Sequence, residues 1–595
     1  MRVRRQMVFA ERHIRLLGGL LSAVLWTAAP GTVQAAAYFV DQSHPAASDA
    51  NPGTEAQPFK TIQRGLNASR AGDTVWIKAG VYEESLTNSN SGTLLAPITI
   101  AAWSNAAVRI GSILRETPPA DQWQRVSNSV SWWVQLPTNQ PADMVVVFDG
   151  RAIPTQHTNG LPPEGEIRWA TYRSSDRRLV INLGGPNPAL GHDVKLARAL
   201  VGYTAAGDAA FHALRNLEFG WLWKGLFLGG HGHVIEDCYF HDIFAQAMFP
   251  HGHVTRISRC NFVNCGYAIV ASGTGAMTIM EDCLVVGCGQ SYLDDFAWRI
   301  SAYYGAPLYD YGYDAVTYKG GGFGAVFRHN IVADNNAGSL WFDGCESGIR
   351  VENNAFWQNP GYVYNEYSVD DSLYLGNYLY WCAFRSRHCT RVTLVDNFFD
   401  CTGVEWLHHD RWPLYNSYMV LRGNAFIGIR YGYLAVAAGW NEPYMNTNSY
   451  RSCLVDYNRV RVATNCPWFI DGTQKVYGIE NLRSLYGWEL HGQGGTYNEA
   501  TNDLTPESMG GAMFTCRLPF GRGRHWGARP ILADKTMSGT WPGAGRTGVP
   551  GATPRFSGAW PTGISTAPPC MMRCPARRMS TAGGPRWCSR TGPWG

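Results

Sequence analysis

An all-β fold, a parallel solenoid of stacked coils, is predicted by three features of this 595-residue chain. A six-residue pattern, apolar–x–x–[Asn/Cys]–x–apolar, recurs eight times after residue 230. Where its copies follow most closely, they lie 22 to 24 residues apart, the length of one short-strand coil. Sustained 3.6-residue apolar periodicity is hard to find after residue 75, whereas Gly, Asn, Trp and Tyr are plentiful.

The chain opens on a leader, residues 1–36. "MRVRRQMVFAERHIR" is a positive n-region, "LLGGLLSAVLWTAA" is apolar, and "VQA" places small residues at −3 and −1, so cleavage is expected after Ala35 or Ala36. The apolar run is short for a membrane span and no later segment is longer, which predicts a secreted or periplasmic protein without a membrane span. Residues 37–112 read as an N-terminal cap and first coils. "GDTVWIKAGVY" and "APITIAAW" are strands, and an amphipathic helix from about Pro58 to Ala71 would cover the open sheet edge. Between 113 and 200 the repeat vanishes. "SVSWWVQLP", "MVVVFDGRAIP" and "RRLVINLGG" alternate as strands between turns, which predicts a small β-sandwich-like insert.

Residues 201–515 carry the repeat, whose fourth position is Cys238, Cys260, Cys283, Asn330, Asn354, Asn397, Asn424 and Asn458. An inward Asn can ladder with the coils above and below and satisfy buried amides, and Cys substitutes as a small buried hydrophobe. The cysteines therefore read as a stack of core thiols rather than a disulfide framework, with Cys265 and Cys288 recurring in the same way. Gaps of 43 and 47 residues leave room for loops or an extra coil.

Residues 516–595 form an irregular basic tail. Eleven Arg and one Lys against Asp534 give it about +11, and the leader carries about +4, so the body is near −11 although the whole chain is +4. No nucleic-acid partner is expected of an acidic body. The tail reads as a flexible extension or, preferably, as translation in a shifted frame, which resequencing near codon 516 would decide.

The N-terminal stretch "AYFVDQSHPAASDANPGTEAQPFKTIQRGLNASRAGDTVWIKAGVYEES" resembles the opening of right-handed parallel β-helix carbohydrate-active enzymes. That resemblance implies the handedness and says little of the reaction. The segment from Asp314 to Glu366, with Lys319, "SLWFD" and "YVYNE", resembles a motif of the β-xylosidase family one hundred and twenty of the glycoside hydrolases. In that family the Asp is the nucleophile and the Glu the acid/base, roles the resemblance carries onto Asp343 and Glu366. This chain has Asp314 where the family tends to Glu, and Tyr367 where an aliphatic residue is usual.

Read from the residues alone, the same pair stands out. Asp343 follows Asn330 by thirteen residues and Glu366 follows Asn354 by twelve, so they hold near-equivalent places on consecutive coils. Alternation turns Leu340, Phe342, Val363 and Asn365 inward and Trp341, Asp343, Tyr364 and Glu366 outward. Adjacent coils stand about 4.8 Å apart, near the roughly 5–5.5 Å between the carboxyls of retaining glycosidases. Repulsion at that range keeps one acid protonated and its neighbour ionised. Trp341 and Tyr364 would offer a flat face to a sugar, and Lys319, Asp314 and Asp410 would extend the substrate-binding face, as would Asp295.

These readings predict a retaining glycosidase, xylosidase-like, on polysaccharide-derived sugars, with a carbohydrate substrate and no cofactor. The alternatives are a polysaccharide lyase, in which Lys319, Asp310 and Asp314 could serve with Ca²⁺, or a non-catalytic glycan-binding β-helix. Two outward acids on a solenoid are otherwise ordinary solvated charge. His231, His233, His251 and His253 could hold a metal across adjacent coils but read more readily as turn residues. Neither "GGHG" nor "KGGG" has the strand–helix context of a phosphate loop. Oligomeric state is left open.

Overall fold

A computed structural model of the protein describes residues 35–138, 144–153, 155–156, 169–173, 175–182, 184–271, 277–289, 317–320, 323–335, 338–343, 347–359, 361–366, 369–408, 416–430, 432–438, 452–471 and 474–497. They form a right-handed parallel β-helix whose coils stack their strands into three 13-stranded sheets, parallel except where Phe469–Asp471 pairs antiparallel with Gln474–Val476 at the end of the third. The first sheet runs from Ala37–Val40 to Leu454–Asp456, the second from Gly80–Tyr82 to Gln493–Tyr497, and the third from Leu86–Asn88 to Gln474–Val476. One row of the first sheet shows how the core is built. Ile235, Ile257, Met280, Phe327, Val351, Tyr374, Leu394, Leu421 and Val455 are successive register partners, all buried.

The corner between the first and second sheets explains the repeat. The residue before each Asn or Cys is left-handed, with φ of 52–70° from Asp237 and Arg259 through Asn353 and Asp396 to Tyr457. This bend takes one backbone N–H and one carbonyl out of strand pairing, and the Asn side chains replace the lost partners. Asn330 Nδ2 donates to Asn354 Oδ1 (2.9 Å), Asn354 to Asn377 (3.0 Å), Asn377 to Asn397 (2.9 Å), Asn397 to Asn424 and Asn424 to Asn458 (both 3.0 Å). Each Oδ1 also accepts the backbone N–H of the preceding Asn, and Cys283 N donates to Asn330 Oδ1 (3.0 Å) across the 47-residue gap. Asn377 marks the extra coil inside the 43-residue gap. Cys238, Cys260 and Cys283 continue the stack as buried free thiols, and burial pushes Cys238 and Cys283 above the ordinary thiol range. A second ladder, Cys265, Cys288, Asn335 and Asn359, follows the next corner.

Both ends are closed. The first helix spans Ile62–Ala68, shorter than the Pro58–Ala71 expected. Phe59 instead bridges Val40 as extended chain, Thr61 caps the start, and Ser69 leaves the helix extended. The Glu84 carboxylate accepts the first helical amides, Ile62 N and Gln63 N, both at 3.0 Å, where the helix dipole favours an anion. Gly65 lets the helix approach the first sheet, since a Cβ there would sit 2.8 Å from Val75 Cγ1. At the far end the fully buried Glu489 terminates the Asn ladder. It accepts from Asn458 Nδ2 (2.8 Å) and Tyr433 Oη (2.9 Å), and burial raises its carboxyl above the usual range despite those bonds.

Between Gly111 and Val201 two mainly antiparallel sheets, of four and five strands, enclose a separate core that includes Val134, Val146, Tyr172, Ile181 and Leu196. Its outer side, Val145, Val147 and Ala197, packs on Phe244, Trp221 and Trp223 of the solenoid. Beside this seam His241 is held between two carboxylates, with Nδ1 to Asp242 at 2.7 Å and Nε2 to Glu218 at 3.0 Å. Gly220 makes the room, because a Cβ there would lie 2.2 Å from Nε2. Burial opposes the imidazolium, but the bonds to Asp242 and Glu218 outweigh it and raise the pKa from 6.5 to about 8.

Two outcomes follow from this architecture. Asn377→Ala removes the acceptor of Asn354 N and Nδ2 in mid-ladder and should destabilise by about 1–3 kcal/mol, read as a lower urea midpoint. His241 favours the fold in its charged form, so its contribution is complete below pH 6.5 and is lost as pH rises through about 8. The thermal midpoint should fall across that window in the wild type and stay flat there in His241→Gln.

Candidate functional site

Asp343 and Glu366 end neighbouring strands of the third sheet, Leu340–Asp343 and Tyr362–Glu366, and are direct register partners. The coils place their backbones one strand spacing apart, about 4.8 Å. The alternation that aims them is visible in the core beneath: Leu340, Phe342 and Val363 are buried in it, and Asn365 is fully buried, accepting the Tyr374 hydroxyl. The next strand, Ala383–Arg387, puts Arg387 in register with Glu366, and Arg387 Nη1 donates to Glu366 Oε1 at 2.9 Å. Asp343, Glu366 and Arg387 therefore form one row on three successive coils.

The row beside it holds Lys319, Trp341, Tyr364, Arg385 and Glu405 as successive register partners. Trp341 and Tyr364 stack on one another, centroids 5.7 Å apart and 29° between planes. Arg385 lies 3.2 Å over the Tyr362 ring and donates to Glu405 Oε2 at 2.8 Å. The rows are thus laced by stacking and ion pairs that each span one coil.

Two expectations change. Glu366 is only 6% exposed and ion-paired, so it is not a solvated surface acid, while Asp343 is half-buried. Nor do Trp341 and Tyr364 turn a shared flat face outward. The rings face each other, and Tyr364 is 4% exposed, so the sugar-stacking role given to it does not fit this arrangement. Burial, with the Glu366 charge beside it, pushes the Tyr364 phenol well above its ordinary range.

Of the other candidates, Lys319 takes its place in the ladder beside Trp341, and its side chain lies outside the described residues, as do Asp314, Asp410, Asp295 and Asp310. The histidines do not converge. His233 is buried in the core against His212 (5.1 Å between rings), and His231 packs on Phe211 (4.8 Å). Among the described residues no three His, Cys, Asp or Glu side chains are grouped to hold a metal, and no helix is long and apolar enough to cross a membrane. Arg387 is the residue that sequence reasoning missed. It follows Glu366 by twenty-one residues, one coil, but an outward arginine gives no other sign of its partner.

Comparison with known proteins agrees with this path of the chain. Residues 206–378 match the family model described as a right handed beta helix region, and residues 46–91 match one described as a protein of unknown function, DUF1565. Over 66 residues the chain is 41% identical to the uncharacterized protein YwoF of Bacillus subtilis (strain 168); the match covers 11% of this chain and 14%, about one seventh, of that protein. Among solved structures, XylC in complex with xylose is similar at 14% identity over 74% of this chain and 86% of that one, with a TM-score of 0.45. A GH136 lacto-N-biosidase from Eubacterium ramulus is similar at 12% identity (75% and 68% covered, TM-score 0.34). A mannuronic acid specific polysaccharide family 6 lyase from human gut microbiota is similar at 10% (74% and 89%, TM-score 0.40).

Arg387 is ion-paired with a nearly buried carboxylate, and removing it takes that bond away. Arg387→Met should destabilise by about 2 kcal/mol in denaturant titrations, below the cost of a fully buried pair because Arg387 keeps 19% of its side chain in water. Adding Glu366→Gln to that variant should restore part of the loss.

Proposed function

We propose that the protein is an exported retaining glycoside hydrolase, xylosidase-like, that acts on polysaccharide-derived sugars through Asp343 and Glu366. The observation that carries this reading is the register pairing of the two acids on adjacent strands, with Arg387 bonded to one of them. A strand spacing of about 4.8 Å suits direct attack by one carboxylate on a sugar protonated by the other, whereas the inverting route needs room for a water between them. The resemblance to the β-xylosidase family gives the nucleophile to Asp343 and the acid/base to Glu366. In the first half of the reaction Asp343 bonds the anomeric carbon while Glu366 gives its proton to the leaving oxygen. In the second, the Glu366 carboxylate takes a proton from the water that releases the sugar. Arg387, bonded to Glu366 Oε1 at 2.9 Å, holds that carboxyl in place beside Asp343.

A lyase is the second reading, supported by Arg385 and Arg387, cations on the same strand that would suit a uronate. The acidic body opposes a polyanionic chain.

The deciding assay supplies the protein with xylo-oligosaccharides and other glycans and follows both reducing ends and ultraviolet-absorbing unsaturated products. Glu366→Gln should lower kcat on a disaccharide by about 10²–10⁴-fold, and Asp343→Asn should be at least as severe. Unsaturated products from the wild type would identify a lyase. Binding without turnover, unchanged in both acid variants, would identify a glycan-binding protein.

A further inference from the structure

We propose that the Ala35–Ala36 peptide bond is the processing site of the chain, and that the α-ammonium freed at Ala36 is received by the Asp73 carboxylate. This rests on the export part of the reading above and not on its sugar chemistry. The leader's small residues, Val33 and Ala35, stand at −3 and −1 of that bond.

The structure separates the two cleavage points that the sequence allows. Ala36 N lies 2.7 Å from Asp73 Oδ1, and Ala36 O accepts Thr74 N–H at 2.9 Å, so the first sheet's hydrogen bonding begins at Ala36. Cleavage after Ala36 would delete both bonds. Cleavage after Ala35 keeps both and changes the donor from a neutral amide to an ammonium.

Among the described residues the Asp73 carboxylate is met by uncharged donors only. It is 5% exposed, and its other oxygen accepts Arg70 N at 2.8 Å, again an uncharged amide. The Arg70 guanidinium turns away, donating to the carbonyls of Asn67, Ala68 and Ser69. Among the described residues no ion pair reaches Asp73. A carboxylate withdrawn from water with only neutral donors is costly, and a full positive charge in the same place offsets that cost. Asp73 directly precedes the strand Thr74–Ile77, whose parallel partner Ala37–Val40 is the terminal strand of the sheet. The pair would therefore pin one of the two edge strands of this sheet at its free end. The reaction is hydrolysis: water adds across the amide, Ala35 leaves with the leader as a carboxylate, and Ala36 keeps the nitrogen as an ammonium. The agent is a membrane-bound leader peptidase that selects small side chains.

The test expresses the full chain in an exporting bacterium and determines the N-terminus of the exported protein by mass and end sequencing. Ala36 as first residue is the expected result; Ala37, another start or a retained leader overturns the assignment. The ammonium's role is read separately, by comparing protein that begins at Ala36 with protein that begins at Ala35, one residue longer. At pH 7 the Ala36 form should melt higher by about 2 °C, and the difference should vanish above about pH 10, where the ammonium is neutral. It should also vanish in Asp73→Asn. Equal midpoints at pH 7, or a difference that persists at high pH, overturn the pairing even if Asp73→Asn fails to fold. Neither readout depends on turnover of a sugar, so failure here and failure of the glycosidase reading are distinguishable.

Discussion

A buried corner amide has to find a partner, and in this protein the partner is the same side chain one coil away. Each ladder asparagine after Asn330 accepts both the backbone and side-chain N–H of its predecessor, which sets the axial repeat at that corner. The left-handed residue before it turns the chain from the first sheet into the second. The arrangement is strict at the corner and permissive elsewhere. Cys283 and Asn330 are forty-seven residues apart, yet their corner bond is made at 3.0 Å, because an excursion elsewhere on the coil leaves the ladder intact.

That constraint places the candidate site. Once the corners stack, residues at the same height of successive coils become register partners, so Asp343, Glu366 and Arg387 line up without any local motif of their own. Packing beneath them, from Leu340, Phe342, Val363 and Asn365, holds the strand faces and stops a slip that would turn the acids inward. The surroundings then set their character. Glu366 is nearly out of water beside a guanidinium, whereas Asp343 remains half-exposed, so two similar carboxylates meet different electrostatic environments.

The ends obey the same accounting of unpaired groups. Glu84 takes the free amides at the start of the capping helix, and Glu489 takes the last asparagine of the ladder. Both acids sit where a repeat stops and a donor would otherwise be orphaned.

The sequence alone determined the coil period, the corner residues and the alternation on either side of them. These follow from hydrogen-bond satisfaction and the two-residue period of a strand, and both leave marks in a single chain. It also brought Asp343 and Glu366 to notice, because their separation is one coil. It obscured the coil at Asn377, whose inward residue is Tyr374 in place of an aliphatic one; that tyrosine is tolerated in the core because its hydroxyl reaches Asn365. Tertiary structure decided the rest. Whether Arg387 meets Glu366 or water, whether the Trp341 and Tyr364 rings face solvent or each other, and which nitrogen lies against Asp73 all depend on what stacks above and beside each residue. Those neighbours are brought together by the coils and not by the chain's local pattern, so no reading of one strand contains them.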